Sequence, residues 1–356
     1  MTSDFRVPSP ADVKAEAWDG LAVRHPCHTV FLERSWFDCW RKHLAGKGGI
    51  KLATLGDGSG LHGLAALASR WFSMRGIPLM RVMGFCGSLG TTYRDFLYRP
   101  EHAEEDVAGL MDGISGQKWS LLQLWNFRGD SPTPEIIKSW CRRRGYPVSE
   151  PEGIAAPYIT LPGSYGEYLG TLKQSARHNL ARRKNKLLRE RKAGFRVDRS
   201  PSPESGESFI DMHQRKWNSQ GQPGVFDKPG VRDFYREMMG QLSQQGRLWM
   251  YSIEAGGKTI AMSAKFLYGK TAHSFLGGWD PDFRDYGPGN LIEAYAIEDA
   301  VGQGMKEFDF SIGDYPYKYE FGCAPRRNRN LMVYRSGVIR RLHLLLERLS
   351  AKKGDA

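Results

Sequence analysis

The run Arg284-Asp285-Tyr286-Gly287-Pro288-Gly289-Asn290 combines a guanidinium, two glycines and the start of an apolar helical pattern. The first turn of a helix leaves amide N–H groups unpaired at the positive end of the helix dipole, and a phosphate suits that place. Glycines let the backbone approach an anion without a Cβ in the way, and Arg284 adds a charge-assisted contact. Pro288 removes one donor from the cradle, and an ordinary Gly-Pro-Gly turn that merely starts a helix has the same composition.

A second group, Asp309, Ser311, Asp314, Tyr317, Lys318 and Glu320, follows an apolar strand and brings carboxylates, phenol and ammonium to its end. Such groups move protons; equally, Asp314 and Lys318 can close the loop as an ion pair with Tyr317 as packing. His213 and Trp217 stand four apart on a predicted helix and share a face, either lining a pocket, with His213 as an alternative base, or packed at a core edge. Asp227 lies in the loop after that helix. The five cysteines are scattered, with no C-x-x-C and no His/Cys cluster of metal-ligand spacing, so neither a disulfide nor a metal is expected. Cys323 alone is a weak nucleophile candidate.

Positioning these residues takes about two domains' worth of chain, and 356 residues supply it. Pro147, Pro151, Gly153 and Pro157 mark a break. The expected division is 1–150, 151–335, and a C-terminal amphipathic helix and tail over 336–356. In the first part the pattern predicts a helix over 35–43, strands over 51–55 and 61–71 joined by a Gly-rich turn, a helix over 104–111 and a strand over 120–125. In the second it predicts helices over 175–192, 207–217 and 231–244, three strands over 248–253, 259–268 and 271–277, a helix over 291–301 and a strand over 307–312. Three antiparallel strands, a loop, a helix and a parallel strand make an α+β sandwich with a mixed sheet flanked by helices.

Arg284, Gly287 and Gly289 reproduce an R-x-x-G-x-G signature, and the chain here resembles the GNAT acyltransferases. Gly278-Trp279-Asp280-Pro281, Phe308-Asp309-Phe310-Ser311-Ile312-Gly313-Asp314, Tyr317-Lys318, the basic run from Ser175 to Arg183, and His213 to Trp217 are similar to the CelD-like branch, related to the Fem aminoacyltransferases. The resemblance covers about residues 160–325; the first half fits as a degenerate second module. It implies acyl-CoA or acetyl-CoA as co-substrate, held by Arg284, Tyr286, Gly287, Gly289 and Asn290. The thioester then lies along a splayed strand over 275–280, where Leu276 and Gly277 polarise its carbonyl. Asp314 becomes the base or ammonium-orienting acid, Tyr317 the proton donor to the leaving thiolate and Lys318 the oxyanion stabiliser. Trp217, Asp227, Trp279 and Asp280, with His213 as alternative base, face the acceptor.

The implied activity is N-acylation of an amine on a cell-envelope precursor, a sugar or a long-chain lipid amine. Aminoacyl-tRNA as donor and a non-catalytic role in envelope assembly are the alternatives. The net charge of +12 concentrates between Lys173 and Arg196, where ten basic residues meet one acid, a solvated face or a surface for a nucleotide, an anionic membrane or RNA. Near the C-terminus Val338, Leu342, Leu345, Leu346 and Leu349 fall on one helical face, leaving room for peripheral contact with the inner membrane. An apolar content of 40% excludes a disordered chain, and the absence of a long apolar run or leader-like start predicts a cytoplasmic protein.

Overall fold

The computed structural model describes residues 4–46, 49–74, 76–87 and 91–351. In chain order the elements begin with β1 Asp4–Arg6, α1 Ala15–Arg24, α2 Arg34–His43, β2 Gly49–Asp57, β3 Gly60–Met74, β4 Ile77–Phe85 and β5 Leu97–Tyr98. Then come α3 Ala103–Ser115, β6 Leu121–Phe127, α4 Thr133–Arg144, β7 Val148–Ser149, β8 Tyr158–Thr160, α5 Tyr165–Thr171, α6 Gln174–Arg191, β9 Gly194–Asp198 and α7 Pro203–Asn218. The last are α8 Val231–Gln244, β10 Leu248–Ala255, β11 Lys258–Tyr268, β12 Thr271–Trp279, α9 Pro288–Gly302, β13 Glu307–Asp309, α10 Pro316–Tyr319, β14 Arg329–Tyr334 and α11 Gly337–Ala351.

Two compact units result, the first holding residues 1–37, 45–154 and 327–356, the second 38–44 and 155–326. The first sheet runs β1-β2-β3-β4-β6-β14-β7, with β5 on β3; the second runs β8-β13-β12-β11-β10-β9. The expected order recurs in both. Antiparallel β2, β3 and β4 precede α3 and then β6, parallel to β4. Antiparallel β10, β11 and β12 precede α9 and then β13, parallel to β12. Each unit has its own apolar core, Leu55, Leu67, Leu110, Leu124 and Trp140 in the first and Leu187, Tyr251, Ile253, Ile297 and Phe308 in the second. The hairpin predicted from strands 51–55 and 61–71 forms because the glycines around Asp57 allow the tight reversal between alternating apolar strands.

Three local expectations differ. The strand predicted to reach residue 312 stops at Asp309, whose carboxylate accepts the Ser311 N–H (2.7 Å) and turns Ser311 into the left-handed region at φ 60°. Residues 329–334, expected with the second half, form β14 between β6 and β7 of the first sheet. In α11 the inward side carries Ile339, His343 and Leu346, with the His343 ring near Phe72 and Tyr334. Val338 and Leu345 are 72% and 54% exposed, so the predicted apolar stripe is split between core and surface. The Leu349 side chain lies outside the described residues. Among the described residues no helix is long and apolar enough to cross a membrane.

Candidate functional site

The second sheet opens into a fork. β12 and β13 pair only over Thr271–His273 and Glu307–Asp309, so from Ser274 onward β12 is held by β11 alone. The register shifts between Ser263 and Lys265, so Phe275 and Leu276 of β12 oppose Ala264 alone and form a bulge just past the fork's apex. The predicted thioester strand therefore has an edge free of β13. Helix α7 lies on its far end: a Cβ on Gly278 would come within 2.6 Å of the His213 N and 2.7 Å of the Met212 carbonyl carbon, an approach only glycine permits.

The predicted phosphate loop lies where β12 gives way to α9. Asp280 caps the short turn Pro281–Tyr286, accepting the Asp282 N–H at 3.1 Å. Gly287 stands at φ 62° and ψ 47° as the N-cap of α9, with Pro288 in its first turn. Arg284 is exposed, and its carbonyl accepts the Gly287 N–H. The basic segment contributes to this loop. Arg183 of α6 lies against Gly287, where an added Cβ would meet its Cδ and Nη1 at 3.1 Å. The Lys186 ammonium sits 4.8 Å from the Tyr286 ring centre, and Arg191 Nε donates to the Tyr286 hydroxyl, which in turn donates to Glu190. The α6 face expected to meet solvent, a nucleotide, an anionic membrane or RNA thus splits: Arg183 and Lys186 are half-buried at the loop while Arg177, Arg182 and Arg189 are exposed. Trp279 packs on Gly289, whose Cβ would come within 3.2 Å of the indole, and Asn290 donates to Glu320 across to the end of α10.

That last bond brings the Asp314–Glu320 segment beside the loop. Lys318, 2% exposed, donates to the carbonyls of Ser311 and Ile312 at 3.0 and 3.1 Å, carbonyls turned inward by the left-handed Ser311. Burial lowers its pKa from 10.5 to about 8, against the pull of Asp309 and other neighbouring groups. Asp314 is exposed and accepts from the Tyr319 hydroxyl at 2.6 Å. Asp314 and Lys318 thus hydrogen-bond to different partners. Tyr317 is 40% exposed, and the Cys323 thiol is pushed up to about 12 by burial, which argues against it as a nucleophile.

The acceptor-side residues fall into two sets. Trp217 Nε1 donates to His213 Nε2 at 3.0 Å, and since indole is a donor only, the neutral imidazole carries its proton on Nδ1. Burial and the neighbouring Lys216 lower its pKa to about 4. A His213 so held is neutral and its basic nitrogen is occupied, which disfavours it as the alternative base. Asp227 is exposed and bound to Gln214 (2.6 Å).

The structure adds a polar cluster that the sequence reading did not single out. Lys265 on β11 is 0% exposed and pairs with Glu293 of α9 at 2.8 Å. The Ser263 hydroxyl donates to Glu293 at 2.7 Å and lies 3.4 Å from the Leu276 carbonyl; Lys265 also bonds Ser263 and Ser274. Lys216, Tyr317 and Lys318 all lie within electrostatic reach of Glu293, so α7, α9 and α10 converge on the fork. The signal was present: within Ala261–Leu267 only Ser263 and Lys265 interrupt an apolar run, and a lysine is out of place in such a strand. Cys39, His43 and Glu237 also offer three ligand atoms within 4.8 Å, a juxtaposition that the i, i+4 spacing of Cys39 and His43 allowed and the expectation of no metal-ligand spacing passed over. There Lys42 pairs with Glu237 at 2.7 Å and His43 bonds the same oxygen at 2.8 Å.

Residues 174–319 match the Acetyltransferase (GNAT) domain family. The chain superposes on the crystal structure of FemX with a TM-score of 0.68 at 11% identity, covering 97% of this chain and 100% of that one. A conserved protein of unknown function from Bacteroides thetaiotaomicron gives 0.58 at 10% identity, covering 94% and 100%. The C-terminal domain of an Agrobacterium fabrum protein carried under the name of a lysylphosphatidylglycerol synthetase gives 0.57 at 12% identity, covering 95% of each. No curated protein matches the sequence. These likenesses establish a GNAT-like mixed α/β fold; at such identities they speak to fold alone.

Proposed function

We propose that the protein is an acyl-CoA-dependent N-acyltransferase whose acceptor is an amine of a cell-envelope precursor, a sugar or a long-chain lipid amine. The observation that carries the reading is the start of α9: a left-handed Gly287 at the helix N-terminus, with Arg183 laid against it, beside a strand whose edge is free of its neighbour. A pyrophosphate suits the first feature and a thioester carbonyl the second. Arg183, Lys186 and the α9 amides would hold the phosphates. The amine nitrogen attacks the thioester carbon, the C–S bond breaks, the ammonium proton passes to a base and the thiolate takes a proton, leaving an amide and a free thiol. Asp314 serves as the base or ammonium-orienting acid and Lys318, as ammonium, as the stabiliser of negative charge; Tyr317 protonates the thiolate.

A second reading keeps the fold and takes aminoacyl-tRNA as donor, supported by the exposed Arg177, Arg182 and Arg189 of α6. Calorimetry separates the two. The acyl-CoA reading expects acetyl-CoA or a longer acyl-CoA to bind the wild type and to bind Arg183→Glu at least about tenfold more weakly, a change of about 1.4 kcal/mol. Activity that requires charged tRNA and is destroyed by ribonuclease would overturn it.

A further inference from the structure

Strand β11 carries an ammonium where its neighbours Ala264 and Phe266 are fully buried, and α9 supplies the carboxylate that meets it. Removing a lysine and a glutamate from water is expensive, and a pair of apolar side chains of similar volume commonly serves stability as well or better. The position of this pair gives it another purpose. With Ser263 and Ser274 the pair brackets the β12 bulge: Lys265 and Glu293 both bond the Ser274 hydroxyl on one side, at 3.1 and 3.2 Å, and on the other the Ser263 hydroxyl shares its single proton between Glu293 at 2.7 Å and the Leu276 carbonyl at 3.4 Å.

A trans peptide points its C=O and N–H to opposite sides. With the Leu276 carbonyl held toward Ser263 on β11, the N–H of the same peptide, that of Gly277, is directed to the other edge of β12, the edge facing the fork. The pairing beyond the bulge agrees in phase: the Asp280 N–H bonds Ile260 of β11, and alternate amides of an extended strand face opposite edges.

We propose that Ser263, Lys265, Glu293 and Ser274 form a positioning clamp, which fixes the Leu276–Gly277 peptide so that the Gly277 N–H points at the carbonyl oxygen of the acyl donor in the fork. The inference rests on the acyl-transfer reading. Ser263 and Ser274 touch the strand, Lys265 and Glu293 orient the two hydroxyls, and none of the four touches the reacting atoms. The clamp holds by charge what an apolar pair would leave free to relax into regular pairing.

The test uses the full chain with Lys265→Met/Glu293→Met and, separately, Ser263→Ala, which removes one oxygen and little volume. Expected are an unchanged or raised Tm, acetyl-CoA affinity within about twofold, and kcat lower by roughly 10- to 100-fold with KM for the donor little changed. Isotope-edited infrared spectra of bound [1-13C]acetyl-CoA should show the carbonyl stretch lowered in the wild type and returned toward its value in water in both variants. Retained kcat and an unaltered stretch in a folded variant would overturn the clamp. If the wild type binds no acetyl-CoA, the acyl-transfer reading is what fails. The clamp itself is then judged by amide exchange at Gly277, which it requires to quicken in Ser263→Ala and which, if unchanged, refutes it.

Discussion

Lys318 offers a quantitative test because its environment separates the folded from the unfolded chain. Its side chain is 2% exposed, and its pKa falls from 10.5 to about 8, so between those values the native state binds fewer protons than the unfolded one. Stability therefore rises with pH across that window: the contribution is complete above about pH 10.5 and gone below about pH 8. A difference of 2.5 units at 1.36 kcal/mol each amounts to about 3 kcal/mol. Lys318→Met removes the titration while filling similar volume. The urea-unfolding free energy of the second unit should climb by about 3 kcal/mol more in the wild type than in the variant from pH 8 to 10.5. Lysine Cε chemical shifts should show one resonance titrating near pH 8 and missing from the variant. As a stabiliser of negative charge Lys318 acts protonated, so wild-type turnover should decline over the range in which stability climbs. A pH-independent difference between the two proteins would refute the burial argument, and turnover that rises through pH 8 would make Lys318 a base.

The other site residues yield further expectations. Gly289→Asp sets a carboxylate at the start of α9 and a Cβ against Trp279, so acyl-CoA affinity should fall by more than about tenfold in calorimetry. Asp314→Ala should lower kcat by roughly 10² at unchanged Tm and donor affinity, whereas a loss of folding would make its bond to Tyr319 structural. On α11, reversing the exposed Arg340, Arg341 and Arg348 should weaken binding to vesicles containing phosphatidylglycerol by about 1 kcal/mol per charge in a sedimentation assay; unchanged binding removes that helix as a membrane contact.

Much of the second unit was legible because its signals are local. Val231–Gln244 carries helical periodicity between Gly230 and Gly246, and the glycine turns at 256–257 and 269 delimit β11. The phosphate loop could be read for the same reason, since its glycines, arginine and helix start are contiguous. What stayed hidden depends on distant partners. Glu293 looks like an ordinary charged helix residue until Lys265, 28 positions earlier, is seen against it. Arg183 was one cation among ten, and only the packing of α6 on the loop singles it out. The His213–Trp217 spacing was correct, but which imidazole nitrogen stays available depends on the direction of an indole N–H. Leu331 to Tyr334 could be read as a strand, yet nothing in an apolar run states which sheet it joins.

The placement of β14 bears on how the chain is made. Apart from residues 38–44, the second unit is one insertion, 155–326, whose entry and exit lie side by side, the Ala156 N–H bonding the Arg326 carbonyl at 2.6 Å. During synthesis residues 155–326 can therefore close on themselves, while the first sheet waits with a gap between β6 and β7 until residues 329–334 leave the ribosome. The N-terminal unit, translated first, is finished last. Until then the edge of β6 offers unpaired backbone to any passing strand, a window in which a chaperone would matter more to the front of this protein than to the back.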